Sequence, residues 1–221
     1  MIVAIDGPAA SGKSTTAKMV AKKLEMTYLD TGAMYRAVTL ALLRSNTDLD
    51  DYDSVCQVVD ELELDIYDKG SKTIVKLDGE DVSEEIRSMP VTENVSAVSA
   101  MKYVRQTMVE IQRNIGKKTN CVVEGRDIGT VVFPDAELKI FMVADVNMRA
   151  ERRFKDFYEM GENRSFQEVL ADLKRRDEKD STRAYSPLQK ADEAIEIDTS
   201  MLSIDQQGEK IINLMREKNN Y

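Results

Sequence analysis

The stretch Met1–Val20, MIVAIDGPAASGKSTTAKMV, decides how the rest of the chain is read. Ile2 to Asp6 is an apolar run ending in a carboxylate. It leads straight into Gly7-Pro8-Ala9-Ala10-Ser11-Gly12-Lys13-Ser14-Thr15, which satisfies G-x-x-x-x-G-K-[ST] at every fixed position. The pattern has mechanical meaning only between a buried strand and the start of a helix, and both flanks are present. Glycines at either end let the backbone turn with its N–H groups inward, and with the positive end of the following helix these form a nest for phosphate oxygens. Lys13 adds a point charge for the β- and γ-phosphates, and Ser14 offers a hydroxyl to Mg²⁺. The bland alternative is a glycine-containing turn whose lysine points into water. The strand and helix around it weigh against that.

Outward from the loop, short apolar runs at Ile2 to Asp6, Thr27 to Asp30, Cys121 to Glu124, Leu138 to Val143 and Ala194 to Ile197 read as buried strands. Helical patterns separate them, at Lys13 to Glu25, Ala33 to Ser45, Lys102 to Lys118, Asn147 to Met160, Ser165 to Lys179 and Ser203 to Lys218. Such alternation predicts an α/β fold with a mostly parallel sheet covered on both faces. Ligands in these sheets bind outside the carboxyl ends of the strands, the edge where Asp6/Gly7, Asp30/Thr31 and Glu124/Gly125/Arg126 fall. Two stretches break the alternation. ELDIYDKGSKTIVKLDGEDV, from Glu63 to Val82, reads as strand, Asp-Lys-Gly-Ser turn, strand, Asp78-Gly79 turn and third strand, a small antiparallel insert. Arg149 to Arg183 is dense in arginine.

Composition removes whole classes of function. The chain has 221 residues, 42% of them apolar, enough for one large domain with inserted lobes. A net charge of -9 argues against nonspecific attraction to nucleic acid, so clustered arginines are expected to serve a small anion. Histidine is absent, which excludes a Ser-His-Asp hydrolase or a His-ligated zinc enzyme. Cys56 and Cys121 are far apart and read as buried free thiols. No basic segment followed by a long apolar run opens the sequence, and none is long enough to span a bilayer, so a soluble cytoplasmic protein is expected.

Further constellations sit at the strand ends. In LDTGAMYR, Asp30 or Thr31 can cap a helix that carries Arg36 about one turn inside it. Alone this reads as an N-cap and an exposed arginine; so close to the phosphate loop it suggests a second anion site. In VVEGRDIGTVVFPDA, Glu124 ends a strand, Gly125 permits a close turn, and Arg126-Asp127 project a cation and an acceptor. Arginine forks onto phosphate, a carboxylate accepts from an exocyclic amine, and Glu124 can order the water shell of Mg²⁺. Among the basic runs, Arg149, Arg152 and Arg153 share a helix face and Arg176 reaches Asp180 at i,i+4. Lys174, Arg175 and Glu178 read as a solvated face. Arg153, Arg176, Asp180 and Arg183 fit a cationic lid that excludes water around a migrating phosphoryl group. Phosphoryl transfer consists mainly of positioning and charge stabilisation and needs no histidine when the acceptor is itself a phosphate. The residues therefore describe a kinase acting on a phosphorylated acceptor.

In order, and over nearly the whole chain, GPAASGKST, LDTGAMYRA, the inserted lobe, VVEGRDIGTVVFPDA and RRDEKDSTRAYSPL resemble the bacterial cytidylate kinases. The resemblance implies a P-loop nucleoside-monophosphate-kinase core with a five-stranded parallel sheet, a small antiparallel β lobe and a helical arginine-rich lid. It implies a single domain with core (1–32, 101–148, 190–221), acceptor lobe (33–100) and lid (149–189). ATP as donor, Mg²⁺, CMP or dCMP as acceptor, and a monomer in pyrimidine nucleotide metabolism are implied too. By the same resemblance Arg36, Arg126 and Arg183 hold the CMP phosphate, Ser96, Arg105 and Asp127 read cytosine, and Arg176 with Asp180 contact the sugar. Asp127 would take the N4 amine; uracil presents an acceptor there, and an unpaired buried polar group costs ~1–3 kcal/mol, roughly ten- to hundredfold in discrimination. Glu124 stands where several relatives have aspartate. Ser181 stands where some carry a further basic residue, which leaves Lys179 and Arg183 as the lid cations there. A kinase for another nucleoside monophosphate or small acceptor is the same-class rival. A GTP-hydrolysing switch is the other, but N-K-x-D is absent and the one D-x-x-G, Asp205 to Gly208, falls within a probable helix.

Overall fold

Five consecutive residues of β1 (Ile2–Asp6) are buried, as a strand covered on both faces requires. The computed structural model describes residues 1–69, 72–159 and 161–219. After β1 come α1 (Lys13–Lys23), β2 (Thr27–Asp30), α2 (Thr31–Arg44), α3 (Tyr52–Glu61), β3 (Leu64–Lys69), β4 (Lys72–Leu77) and β5 (Glu80–Asp81). They are followed by α4 (Met89–Val98), α5 (Lys102–Gly116), β6 (Cys121–Gly125), β7 (Leu138–Val143), α6 (Val146–Glu159), α7 (Phe166–Thr182), β8 (Ile195–Asp198) and α8 (Ile204–Asn219).

The main sheet has five strands in the order β2-β6-β1-β7-β8, every adjacent pair parallel. Alternation along β1 sends Val3 and Ile5 to one face, against Val20 of α1 and Ile211 of α8. It sends Ala4 to the other, with Met34 of α2 and Met108 of α5. Register pairs Asp6 with Gly125 and Asp30 with Glu124, so the carboxyl ends of β1, β2 and β6 open onto one edge.

The buried Asp6 carboxylate spans β1 and the segment after β6. Its oxygens accept the N–H groups of Ile128 (2.8 Å) and Gly129 (2.7 Å). These open a wide turn, Ile128–Val132, in which Phe133 N–H donates to the Ile128 carbonyl at 2.7 Å, an i→i+5 closure of a kind frequent at functional sites. Burial pushes the Asp6 pKa up to about 6 against these bonds.

The insert is a three-stranded antiparallel sheet, β3-β4-β5, whose Val75 and Leu77 pack with Ala37 and Leu40 of α2 and with Ile86. Gly70 and Ser71 of the expected first turn lie outside the described residues. The strand expectations hold to within a residue, Ala194 to Ile197 being Ile195–Asp198. The helix α7 runs on to Thr182 and takes Asp180 into its last turn. Neither α3 nor α4 was expected. Only Val55 and Val59 of α3 are buried, a stripe too thin to read, and α4 opens on Met89-Pro90 within a loop-like sequence. Cys121 is buried and Cys56 is half-buried, a correction to the expected burial of both. Among the described residues no helix is long and apolar enough to cross a membrane.

Candidate active site

The loop between β1 and α1 depends on backbone angles that its sequence allows. Gly7 has φ +148°, and a Cβ there would lie 2.1 Å from the Met142 carbonyl oxygen on β7. Gly12, φ +93°, precedes the first residue of α1. The Lys13 ammonium donates to the Pro8 carbonyl at 2.6 Å and to Ser11 Oγ at 3.3 Å, folded along the loop. It is 4% exposed, and burial, then the charge of Arg126, pushes its pKa from the ordinary 10.5 down to about 7. A lysine so placed gains from an arriving anion.

A cleft of about 960 Å³ runs from this loop across the sheet edge. Gly12, Lys13, Ser14 and Thr15 line one end, with Ala9 and Ala10; Gly7, Pro8 and Ser11 form the loop behind them. Arg36, Arg105, Glu124, Arg126, Asp127, Arg153, Arg176, Asp180 and Arg183 line the remainder, so the expected cations do share one space with Lys13. Arg36 is braced from the insert side, donating to Ile86 O (3.1 Å) and Thr92 Oγ1 (2.9 Å). Burial, then Arg176 and Arg153, lowers its pKa to about 9. Arg176 falls to about 10 through burial and Arg126.

Carboxylates interleave with these cations. Arg126 Nε donates to Asp180 Oδ2 at 2.9 Å, and Arg176 and Arg183 approach the same carboxylate at 4.0 Å. Burial works against its charge, but Arg126 and Arg176 outweigh that and hold Asp180 below the usual range. Asp127 is ion-paired with Arg105, and Arg183 Nη2 lies 3.7 Å from its other oxygen. Arg105 also donates to Ser99 O at 3.1 Å and stacks over Tyr35, its guanidinium 5.2 Å from the ring centroid. Glu124 is buried; burial and Asp30 raise its pKa, while Lys13 and the nearby Ser14 hydroxyl oppose the rise.

Three sequence expectations are adjusted. Ser96 is absent from the residues lining the cleft, where Ser99 stands one turn on; the Ser96 hydroxyl is buried without a protein partner. Lys179 is exposed and lies outside the cleft, so Arg183 alone of that pair faces it. Asp30, not Thr31, caps α2, accepting from Ala33 N at 2.9 Å, while Thr31 Oγ1 donates to Glu124 O at 2.7 Å. The exposed side chains of Lys174, Arg175 and Glu178 match the solvated face expected of them.

The sequence did not reveal Tyr35, Arg87, Arg152 or the Leu202–Gln207 segment as cleft lining. Arg152 donates to Thr199 O at 2.6 Å and so fixes the strand end from which that segment departs. Arg149 donates to Ala9 O at 3.2 Å and pairs with Asp177 at 2.7 Å, tying the phosphate loop to α7. The helix face that Arg149 shares with Arg152 and Arg153 was the signal in the sequence.

A glycine-bounded phosphate loop on a central parallel strand, opening into an arginine-lined cleft beneath a helix pair, defines the protein as a P-loop kinase. A shikimate kinase from Bacteroides thetaiotaomicron, known from its crystal structure, has the same overall fold, with TM-score 0.50 and 11% identity over 98% of each chain. The family model described as cytidylate kinase matches residues 3–217. Cytidylate kinases from Fusobacterium nucleatum (50% identical over 218 residues, 99% of this chain and 96% of the relative) and Lactobacillus johnsonii (47% over 218, 99% and 95%) are similar along nearly their whole length. The chain belongs to the cytidylate kinase family. In agreement with that, Asp205 to Gly208 lies within α8 and forms no switch loop.

Proposed function

We propose that the protein transfers the γ-phosphoryl group of ATP to the phosphate of CMP and dCMP, releasing ADP with CDP or dCDP. One acceptor phosphate oxygen forms the new P–O bond as the bond to the β–γ bridging oxygen breaks. The observation that carries this reading is that one cleft holds Lys13, the buried Arg105–Asp127 pair, and Arg36, Arg126, Arg153, Arg176 and Arg183. In it, Gly7 to Thr15 cradle the ATP phosphates. Lys13, Arg126, Arg153 and Arg183 neutralise charge spread over the migrating group. Arg36, Arg126 and Arg183 take the CMP phosphate, Arg105 and Asp127 the cytosine edge, and Arg176 with Asp180 the sugar.

Mg²⁺ fits the donor set. Ser14 and the buried Glu124 supply hard oxygens, and among the described residues no cluster of three or more acidic, sulfur or imidazole side chains forms a cage. That is the arrangement Mg²⁺ takes when nucleotide phosphates and waters complete its shell. Ser14 would hold the ion directly and Glu124 through water, and the ion would neutralise charge on the β- and γ-oxygens.

The reading divides the chain into core (1–32, 101–148, 190–221), acceptor lobe (33–100) and lid (149–189). The separate apolar clusters around Val75, Leu77 and Ile86, and around Phe157, Val169 and Leu173, support it. A cytoplasmic monomer that supplies pyrimidine nucleoside diphosphates completes the proposal. ADP formation by the purified protein with CMP, dCMP, UMP, AMP and a hydroxyl acceptor tests it. CMP or dCMP should give the highest kcat/KM, and equal use of AMP would refute it.

A further inference from the structure

Glu124 lines the cleft beside Lys13 and Ser14, whereas Tyr28 lies behind it, outside the cleft lining. Tyr28 is 4% exposed, and its hydroxyl donates to Glu124 Oε1 at 2.5 Å. Strand register makes this contact: Tyr28 pairs with Val122 and Asp30 with Glu124, so Tyr28 and Glu124 are diagonal neighbours on one face of the sheet. On its outer side the ring carries the Lys18 ammonium, 5.3 Å from the centroid.

A glutamate has one more rotatable bond than an aspartate, and its carboxylate sweeps a wider arc unless something fixes it. Here the peptide is fixed by Thr31, which donates to Glu124 O at 2.7 Å, and one carboxylate oxygen is fixed by Tyr28. We infer that Tyr28 is a positioning residue for the phosphoryl-transfer site, orienting the Glu124 carboxylate toward the Mg²⁺–nucleotide complex without touching the nucleotide. The inference rests on the proposed role of Glu124 in the metal's water shell. The competing explanation is that Tyr28 only fills the core beside Val20 and Val122.

Tyr28→Phe separates the two, because it keeps the ring and removes one hydroxyl. The dissociation constant of a fluorescent ADP analogue is measured with saturating Mg²⁺ and with EDTA for the full-length wild type, Tyr28→Phe, Glu124→Gln and the double variant. Thermal melts check that each is folded. Loss of one hydrogen bond should weaken Mg²⁺-dependent binding about fivefold in Tyr28→Phe and leave binding in EDTA unchanged. The double variant should match Glu124→Gln alone. Equal losses with and without Mg²⁺, or additive losses in the double variant, would overturn the inference in favour of simple packing. If Glu124→Gln loses the Mg²⁺ effect and Tyr28→Phe does not, the inference fails while the role of Glu124 stands. If Glu124→Gln also keeps the Mg²⁺ effect, both fail.

Discussion

Nucleotide binding should draw a proton onto Lys13, and the size of that uptake follows from where the side chain sits. Its ammonium is buried against the loop with Arg126 nearby, which brings the pKa from 10.5 to about 7. At pH 8 about a tenth of free molecules then carry the lysine charge. A diphosphate in the nest places negative charge beside the ammonium and restores the ordinary value, so the bound form is protonated. Uptake at pH 8 is therefore about 0.9 proton per ADP bound. The sign is fixed: the pKa is lower in the free protein than in the complex, so affinity falls as pH rises between the two, by up to about tenfold per unit. Isothermal titration calorimetry with ADP in EDTA, repeated in buffers of different ionisation enthalpy, reads proton number as the slope of observed heat against buffer heat. Asp6, at about 6, is ionised in both states at pH 8 and drops out. A slope near zero in the wild type, or the same slope in Lys13→Met, would refute the reasoning.

Asp6 gives a stability effect of its own. Its pKa is raised from 3.8 to about 6 on folding, so between those values the native chain keeps a proton the unfolded chain has released. Stability should fall by roughly 2 kcal/mol as pH rises from 4 to 6; urea unfolding should show this slope reduced in Asp6→Asn. Asp127→Asn should lower the CMP-over-UMP ratio of kcat/KM by roughly ten- to hundredfold, since an amide can turn to donate to uracil; an unchanged ratio removes Asp127 from base reading. Arg36→Lys should give a KM for CMP that rises steeply above pH 7, where the wild type stays flat to about pH 9; parallel profiles would remove Arg36 from acceptor binding.

Legibility followed how local the cause was. The loop from Gly7 to Thr15 and the five buried strands could be read because a motif or an unbroken apolar run lies within a few residues. The pairing of Asp30 with Glu124 could be anticipated only as a shared edge, since register depends on both strands and their neighbours. Propensity alone ends the helix at Lys179, since Asp180, Ser181 and Thr182 are weak helix formers. Tertiary contacts override that preference, since Asp180 meets Arg126 only when the last turn continues. Tyr28 read as one apolar residue in a strand. Its hydroxyl gains meaning only from Glu124, 96 residues away in sequence. Arg152 and the segment after Thr199 were hidden for the same reason: neither carries a motif, and the fold alone brings them together.

The choice of arginine across the cleft follows from the electrostatics that the cations impose on one another. Burial, then Arg176 and Arg153, lowers Arg36 to about 9, which leaves it charged at neutral pH. The same burden on a lysine, which begins at about 10.5, would leave it near 7 and half neutral. Lys13 shows this directly, at about 7 in the same cleft. One such lysine is tolerable where a nucleotide's phosphates arrive to hold its proton. A cleft filled with lysines would shed charge through mutual repulsion and lose the field on which charge stabilisation depends. The interleaved carboxylates Asp127 and Asp180 serve the same end, offsetting repulsion between Arg105, Arg126, Arg176 and Arg183 so that these side chains stay close together. A protein of net charge -9 can thus keep a concentrated cationic site, provided the cations are mostly guanidinium groups and acids are threaded between them.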